Sequence, residues 1–310
     1  VGLASNGVDV RSFNFAERLN FYAGAEINGT KAFEYEAACR MAAQGIRAAC
    51  WDWRPDLVVI VSSFFIPPET YRSLRRGTRV LLWCTESPYE DERQVLQAGH
   101  ADFVVVNDPQ NLDGFREVNS KTWYVPHGYD PAVHHDRGRT DEHPFCFVGT
   151  GYESRIEFLE KADLPAGSVL GGNWQKLAGD SPLRPMVAHP IEHCIDNTDA
   201  ADLYRASATS FNLYRKEAMQ PELVDGWAMG PREVELAATG CWYAREPRGE
   251  GDELFPMLPK VTSPHELGDT IRWALANPDK RSVAAEQARA AIADRTFANN
   301  LAGVLRLIGA

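Results

Sequence analysis

The chain has 310 residues, 44% of them hydrophobic and 24% charged, which suits a globular protein long enough for two domains. A formal net charge of −11 at pH 7 repels phosphate backbones over most of the surface and argues against a general nucleic-acid binder. No apolar run approaches the roughly 20 residues of a membrane span, and the start lacks the basic-then-apolar pattern of a secretion signal.

In chain order, helical stretches are expected around 32–44, 68–76 and 89–99. They alternate with β-branched runs at 56–62, 78–83 and 102–106, and a shorter strand is expected at 123–125. Continuous runs of this kind belong to strands buried on both faces of a parallel sheet. Arg72, Arg75, Arg76 and Arg79 follow Pro67-Pro68-Glu69, so they fall in the last turns of the second helix, where cations complement the dipole. Residues 131–143 have no apolar period and read as an interdomain linker. Asp130 before Pro131 reads as a turn former. His134, His135 and Asp136 lack the spacing of convergent metal ligands and read as a solvated stretch.

The strand–helix rhythm then restarts. A strand at 144–148 meets the turn Gly149-Thr150-Gly151 and a helix at 153–162; a strand at 168–170 ends in Gly171-Gly172-Asn173-Trp174. A helix at 199–205 leads to a strand at 209–213. Gly230-Pro231 opens a helix that Gly240 stops, with Val234, Ala237 and Ala238 on its core side. A strand follows at 241–243. Ser263 and Glu266 form a capping box for a helix to 276, Asn277-Pro278 opens another, and 296–308 is an amphipathic helix carrying Phe297, Leu301, Val304, Leu305 and Ile308 on one face. The pattern is that of two Rossmann-like α/β domains, 1–138 and 139–295, with a last helix at 296–310. Six cysteines without Cys-x-x-Cys spacing read as free thiols, so a reducing, cytoplasmic compartment is expected.

In open α/β sheets ligands sit beyond the carboxyl ends of strands, against helix starts. Two such places stand out. One is the Gly149–Gly151 turn, whose amides can meet phosphate oxygens, with Arg155 one turn further on. The other is Gly230-Pro231-Arg232 with Glu235, preceded by Asn212 and Arg215 at a strand exit. There an arginine can pair with phosphate, and a carboxylate can accept both hydroxyls of a ribose.

Glu235-Leu-Ala-Ala-Thr-Gly240 resembles the Glu-Ala-x-Ala-x-Gly signature of group 1 glycosyltransferases. Their fold is GT-B, two Rossmann-like domains with parallel sheets facing a central cleft. The spore-maturation-protein-like (CgeB-type) members are more similar still. Their motifs match Phe147-Val148-Gly149 with Arg155, Leu203-Tyr204, Asn212-Leu213, and Gly230-Pro231-Arg232 with Glu235 and Gly240. The resemblance covers 145–300 and extends more loosely to Trp83-Cys-Thr-Glu-Ser-Pro88 and Tyr124-Val-Pro-His-Gly-Tyr-Asp130.

It implies transfer of a sugar from a UDP- or GDP-linked donor to an acceptor that is a protein, a glycan, a small molecule or a modified nucleic acid. Retention is implied, with no metal and no cofactor besides the donor; the chain also lacks an Asp-x-Asp motif. By carry-over Glu235 holds the ribose, while Arg232, Arg155 and Gly149, Thr150 and Gly151 hold the diphosphate. Asn212, Arg215, Gly230 and Pro231 complete the donor set. Glu86 and His127, at strand exits of the first domain, are the catalytic candidates on the acceptor side. The final helix of such enzymes crosses back to the first domain, and 296–310 is expected to do so. The family carries a further Glu eight positions before the one matching Glu235, and Trp227 stands there instead. That departure favours the contrary class, a non-catalytic nucleotide- or glycan-binding relative. A third class, transfer to modified nucleic acid, is opposed by the charge.

Overall fold

The structure, a computed structural model, describes residues 1–62, 64–217 and 225–309. The chain divides into two compact units. One holds Gly7–Val125 and the end of the chain from Ile308; the other holds Val1–Asn6, Pro126–Glu217 and Trp227–Leu307.

The first unit begins with α1 (Phe15–Ala23), capped by Asn14 on the Glu17 amide, and a short hairpin of β1 (Glu26–Ile27) and β2 (Thr30–Lys31). Helix α2 (Tyr35–Trp53) outruns the expected 32–44, because Ala38, Ala42, Ala43 and Ile46 keep one buried face across Gly45. It stops at Arg54, which adopts a left-handed φ of 53°. Then β3 (Leu57–Val61), α3 (Pro68–Leu74), β4 (Arg79–Cys84), α4 (Asp91–Ala98), β5 (Phe103–Val106), α5 (Leu112–Val118) and β6 (Thr122–Tyr124) alternate. The four strands β3-β4-β5-β6 form a parallel sheet in that order. Val80, Leu82, Val104 and Val106 are fully buried, as parallel strands between helix layers require. Of the arginines expected in the last turns of the helix at Pro68, Arg72 lies in α3, whereas Arg79 already belongs to β4: Arg75 pairs with Asp102 at 2.7 Å, and Arg79 donates to the carbonyls of Ile308 and Gly309 at 3.1 and 3.3 Å.

The second unit contains β7 (His143–Val148), α6 (Glu153–Glu160), β8 (Val169–Gly171), α7 (Asn197–Arg205), β9 (Ser207–Asn212), α8 (Pro231–Ala238), β10 (Trp242–Arg245), α9 (Gly249–Leu254), α10 (Pro264–Ala276), α11 (Pro278–Ala291) and α12 (Phe297–Ile308). Its parallel sheet has the order β10-β9-β7-β8. The chain leaves β7 for β8 on one side and later returns to β9 on the other, so a topological switch point lies between the exits of β7 and β9. Two apolar clusters cover the sheet. One is built on Phe145, Phe147, Trp174 and Phe211, the other on Trp242, Tyr243 and Phe255. Each of these buried aromatics contributes about 2–3 kcal/mol. The capping box of Ser263 and Glu266 forms at the start of α10.

The units part between Val125 and Pro126, earlier than the 138 expected, and residues 131–143 are not a free linker. Tyr129 donates to the Arg295 carbonyl and accepts from the Phe297 amide, and Asn300 Nδ2 holds the Pro126 carbonyl. Arg205 holds the Val133 carbonyl at 2.8 Å, and Asp130 accepts the Ala132 amide as a turn former. Helix α12 lies with this unit through Leu307. Against it Asn6 Nδ2 reaches the Ala298 carbonyl, and Gly2 leaves no room for a Cβ beside Leu301. Among the described residues no helix is long and apolar enough to cross a membrane.

Candidate functional site

The exits of β7 and β9 and the start of α8 converge in the second unit. Strand β7 ends at Val148 and the chain turns through Gly149, Thr150 and Gly151 into α6. Strand β9 delivers Asn212, and the first turn of α8 delivers Arg232. The Arg232 guanidinium donates to Asn212 Oδ1 at 3.0 Å and lies over the Phe147 ring, 4.8 Å from its centroid. Gly149 sits beneath it: a Cβ there would collide with Arg232 Nη2 and come within 3.3 Å of Arg155 Nη1. Gly172, at φ 104°, packs against the backbone of Gly149 so closely that its own Cβ would strike that carbonyl.

Two donors in this arrangement are buried without a partner among the described residues, Asn212 Nδ2 and Arg232 Nε. Buried donors demand acceptors. Both point chemically to a ligand rich in oxygen, as a phosphate or a sugar hydroxyl is. Glu235 is half-buried on the same helix; burial pushes its carboxyl above the ordinary range, and Arg232 pulls it back. Burial, and next the Glu235 charge, push the Tyr204 phenol well up.

The structure changes how several expected residues can act. The Gly149 and Gly151 amides donate to the carbonyls of Gly171 and Asn173, at 2.9 and 2.7 Å, so they are not bare. Exposed Thr150 lies between them. Arg155, only 8% exposed, spends Nη1 on the Thr150 carbonyl and Nη2 on the Leu213 carbonyl. It stacks between Phe147 and Tyr152 and therefore ties the two strand exits together while supplying positive potential. The start of α8 is also occupied. Gly230 is the N-cap, its amide donates to Glu233 Oε2 at 3.2 Å, and Pro231 has no amide to give. Arg232 is left as the main cation of the site. Arg215, half-buried, follows the β9 exit; neighbouring Lys216 pairs with Glu246 at 3.3 Å.

Glu86 and His127 fall in different units. Glu86 lies in the turn after β4, where its carbonyl accepts the Glu90 amide. His127 belongs to the second unit, because the segment from Pro126 is bound to residues 295–300. Burial, and next the Arg295 charge, lower its imidazole to about 4. It is therefore neutral at pH 7 and suited to hydrogen bonding, with little basicity to offer. Arg295 in turn pairs with buried Glu250 at 2.6 Å, and Glu250 Oε2 accepts the Met229 amide at 2.7 Å, just before α8.

Sequence reasoning missed the residue that is most enclosed. Glu233 is 0% exposed; its Oε2 accepts from both the Gly230 amide and the Tyr214 hydroxyl. The Gly-x-x-Glu spacing at a helix start was the available signal. Trp227, at the position of the expected second Glu, packs its indole on Gly249, where a Cβ would overlap the ring.

Residues 153–305 match the family model described as glycosyl transferase-like. The solved structures similar to this chain carry the same fold. A sucrose-phosphate synthase from Thermosynechococcus elongatus aligns with TM-score 0.61 and 15% identity over 91% of this chain and 82% of its own. This chain has the GT-B fold, and most of its second unit matches that family model. An α,α-trehalose-phosphate synthase (UDP-forming) from Burkholderia vietnamiensis aligns with TM-score 0.60 and 13% identity, covering 95% and 81% of the two chains. HepE from Anabaena, solved with UDP and glucose, gives 0.57 and 12% over 86% and 81%. Among curated proteins none matches significantly. The family match and the shared fold support a glycosyltransferase.

Proposed function

We propose that this GT-B protein transfers a sugar from a UDP- or GDP-linked donor to an acceptor, with retention at the anomeric carbon and without a metal. The observation that carries the reading is the Arg232–Asn212 pair over Gly149, with two orphaned buried donors at the switch point of the sheet. The diphosphate would lie against Arg232 at the Thr150 turn, where a fixed guanidinium stabilises the charge that develops as the nucleoside diphosphate departs. Glu235 would accept the two ribose hydroxyls. HepE was solved with UDP and glucose and the trehalose-phosphate synthase is UDP-forming, in keeping with a nucleotide-sugar donor. Isothermal titration with a panel of nucleotide sugars, followed by chromatography of the sugar released without acceptor, tests the reading. Binding with slow donor hydrolysis supports it, and absence of binding to any donor refutes it.

A second reading follows from Trp227. An indole in place of a carboxylate fits a nucleotide-binding relative without turnover. Donor binding with neither hydrolysis nor transfer would favour that protein over the enzyme.

A further inference from the structure

We infer that Tyr214 and Glu233 form a positioning pair that sets the alignment of Arg232 on the donor diphosphate. The inference rests on the proposed donor site. Two chain segments build that site, the β9 exit with Asn212 and the first turn of α8 with Arg232. Besides the Arg232–Asn212 bond itself, the Tyr214 hydroxyl bonded to Glu233 Oε2 joins them from below.

The pair is held from every side. The Tyr214 amide donates to Glu246 Oε2 at 2.7 Å, and the Arg248 guanidinium lies 4.0 Å from the centre of the Tyr214 ring. The Tyr243 hydroxyl holds the Glu233 carbonyl at 3.1 Å. Arg245 flanks the carboxylate: a Cβ on Gly251 would lie 2.9 Å from Arg245 Nη1 and 3.4 Å from Glu233 Oε1. Glu233 Oε1 itself accepts no hydrogen bond among the described residues.

A helix cap alone needs only the Gly230 amide, and such caps ordinarily stand in solvent. Here the capping carboxylate is sealed inside the domain and given a second donor from the segment that follows Asn212 at the β9 exit. An ionised Glu233 accepts both Tyr214 and Gly230. A protonated one must place its hydrogen on an oxygen with no acceptor nearby, or release one of the two donors. Burial raises the carboxyl to about 7, against the pull of Tyr214, Arg245, the Gly230 amide and Arg248, so both forms exist near neutrality.

The test is calorimetric titration of the intact protein with UDP and GDP and with the bare nucleosides, from pH 5.5 to 8.5. Wild type, Tyr214→Phe and Glu233→Gln are compared. For the diphosphate that wild type binds, each variant should raise Kd by about tenfold, the scale of one lost charged hydrogen bond, while nucleoside affinity stays within a factor of two. Wild-type affinity for that diphosphate should fall as the pH drops through about 7, and Glu233→Gln should flatten that dependence. Tyr214→Phe, which removes one oxygen, guards against a Glu233 variant that fails to fold. A lowered melting temperature with unchanged diphosphate affinity would make the pair merely structural and overturn the inference while leaving the donor site intact. No binding of either diphosphate to wild type would overturn the donor reading and this inference with it.

Discussion

Gly149→Ala isolates the function of Arg232 without touching it. The glycine has no left-handed φ, so alanine suits its backbone. The added Cβ meets the far end of Arg232, and Arg155 Nη1 and Phe147 Cε1 lie 3.3 Å away. Arg155 is pinned by two carbonyls, whereas Arg232 is held by one side-chain bond, so Arg232 is the group that yields. Moving it breaks the 3.0 Å bond to Asn212 and lifts it from the Phe147 face. A misplaced guanidinium forfeits its charged hydrogen bond to phosphate, about 1.5–3 kcal/mol, which is roughly a 10- to 100-fold rise in Kd. Global stability should fall by only about 1 kcal/mol, because the packing below is untouched. Titration with the nucleoside diphosphate and with the nucleoside, beside a thermal melt, reads both numbers. Unchanged diphosphate affinity in a folded Gly149→Ala protein would refute the placement of the diphosphate under Arg232.

Gly172→Ala should behave oppositely: with φ at 104° and its Cβ directed at the Gly149 carbonyl, it should lower the melting temperature clearly, by differential scanning calorimetry. Glu235→Gln should weaken the nucleoside and its diphosphate alike, by about 1.5–3 kcal/mol in titration, since the ribose is common to both. Glu233 has a native pKa of about 7 against an ordinary 4.5, so between these values the native state binds a proton that the unfolded chain does not. Wild-type stability from this group therefore falls as pH rises from 4.5 to 7, by about 3 kcal/mol in all, and urea titrations of Glu233→Gln should lack that slope. Deleting 296–310 should lower hydrogen-exchange protection around Tyr129 and also at β4, whose Arg79 holds the Ile308 and Gly309 carbonyls; protection at β4 equal to that of the full chain would confine the helix to the second unit.

The sheets were legible because their signal is local. A run such as Val58–Val61 is β-branched throughout, and the starts of α8 and α10 are written in Gly-Pro and Ser-Pro with a Glu three residues on. The ligand-facing state of the Gly149–Gly151 amides was not local. Their partners, Gly171 and Asn173, come from the exit of a neighbouring strand, and no pattern around 149 announces them. His127 was misassigned for the same reason. Its unit is fixed by Tyr129 and Asn300 binding across more than a hundred residues of chain. Burial of Glu233 was hidden too, since Tyr214 and Tyr243 close over it from the exit of β9 and from β10. A carboxylate in a helix's first turn looks solvated until those strands are placed.

Glu233 also sets stability and donor affinity against each other. Ionised, it costs the fold, because a buried charge is poorly solvated and one oxygen has no partner. Protonated, it relieves that cost but must either leave its own hydrogen without an acceptor or release Tyr214 or Gly230 as a donor. Lowering the pH through about 7 should therefore firm the domain while loosening its hold on a diphosphate. A residue that served packing alone would move both quantities in the same direction.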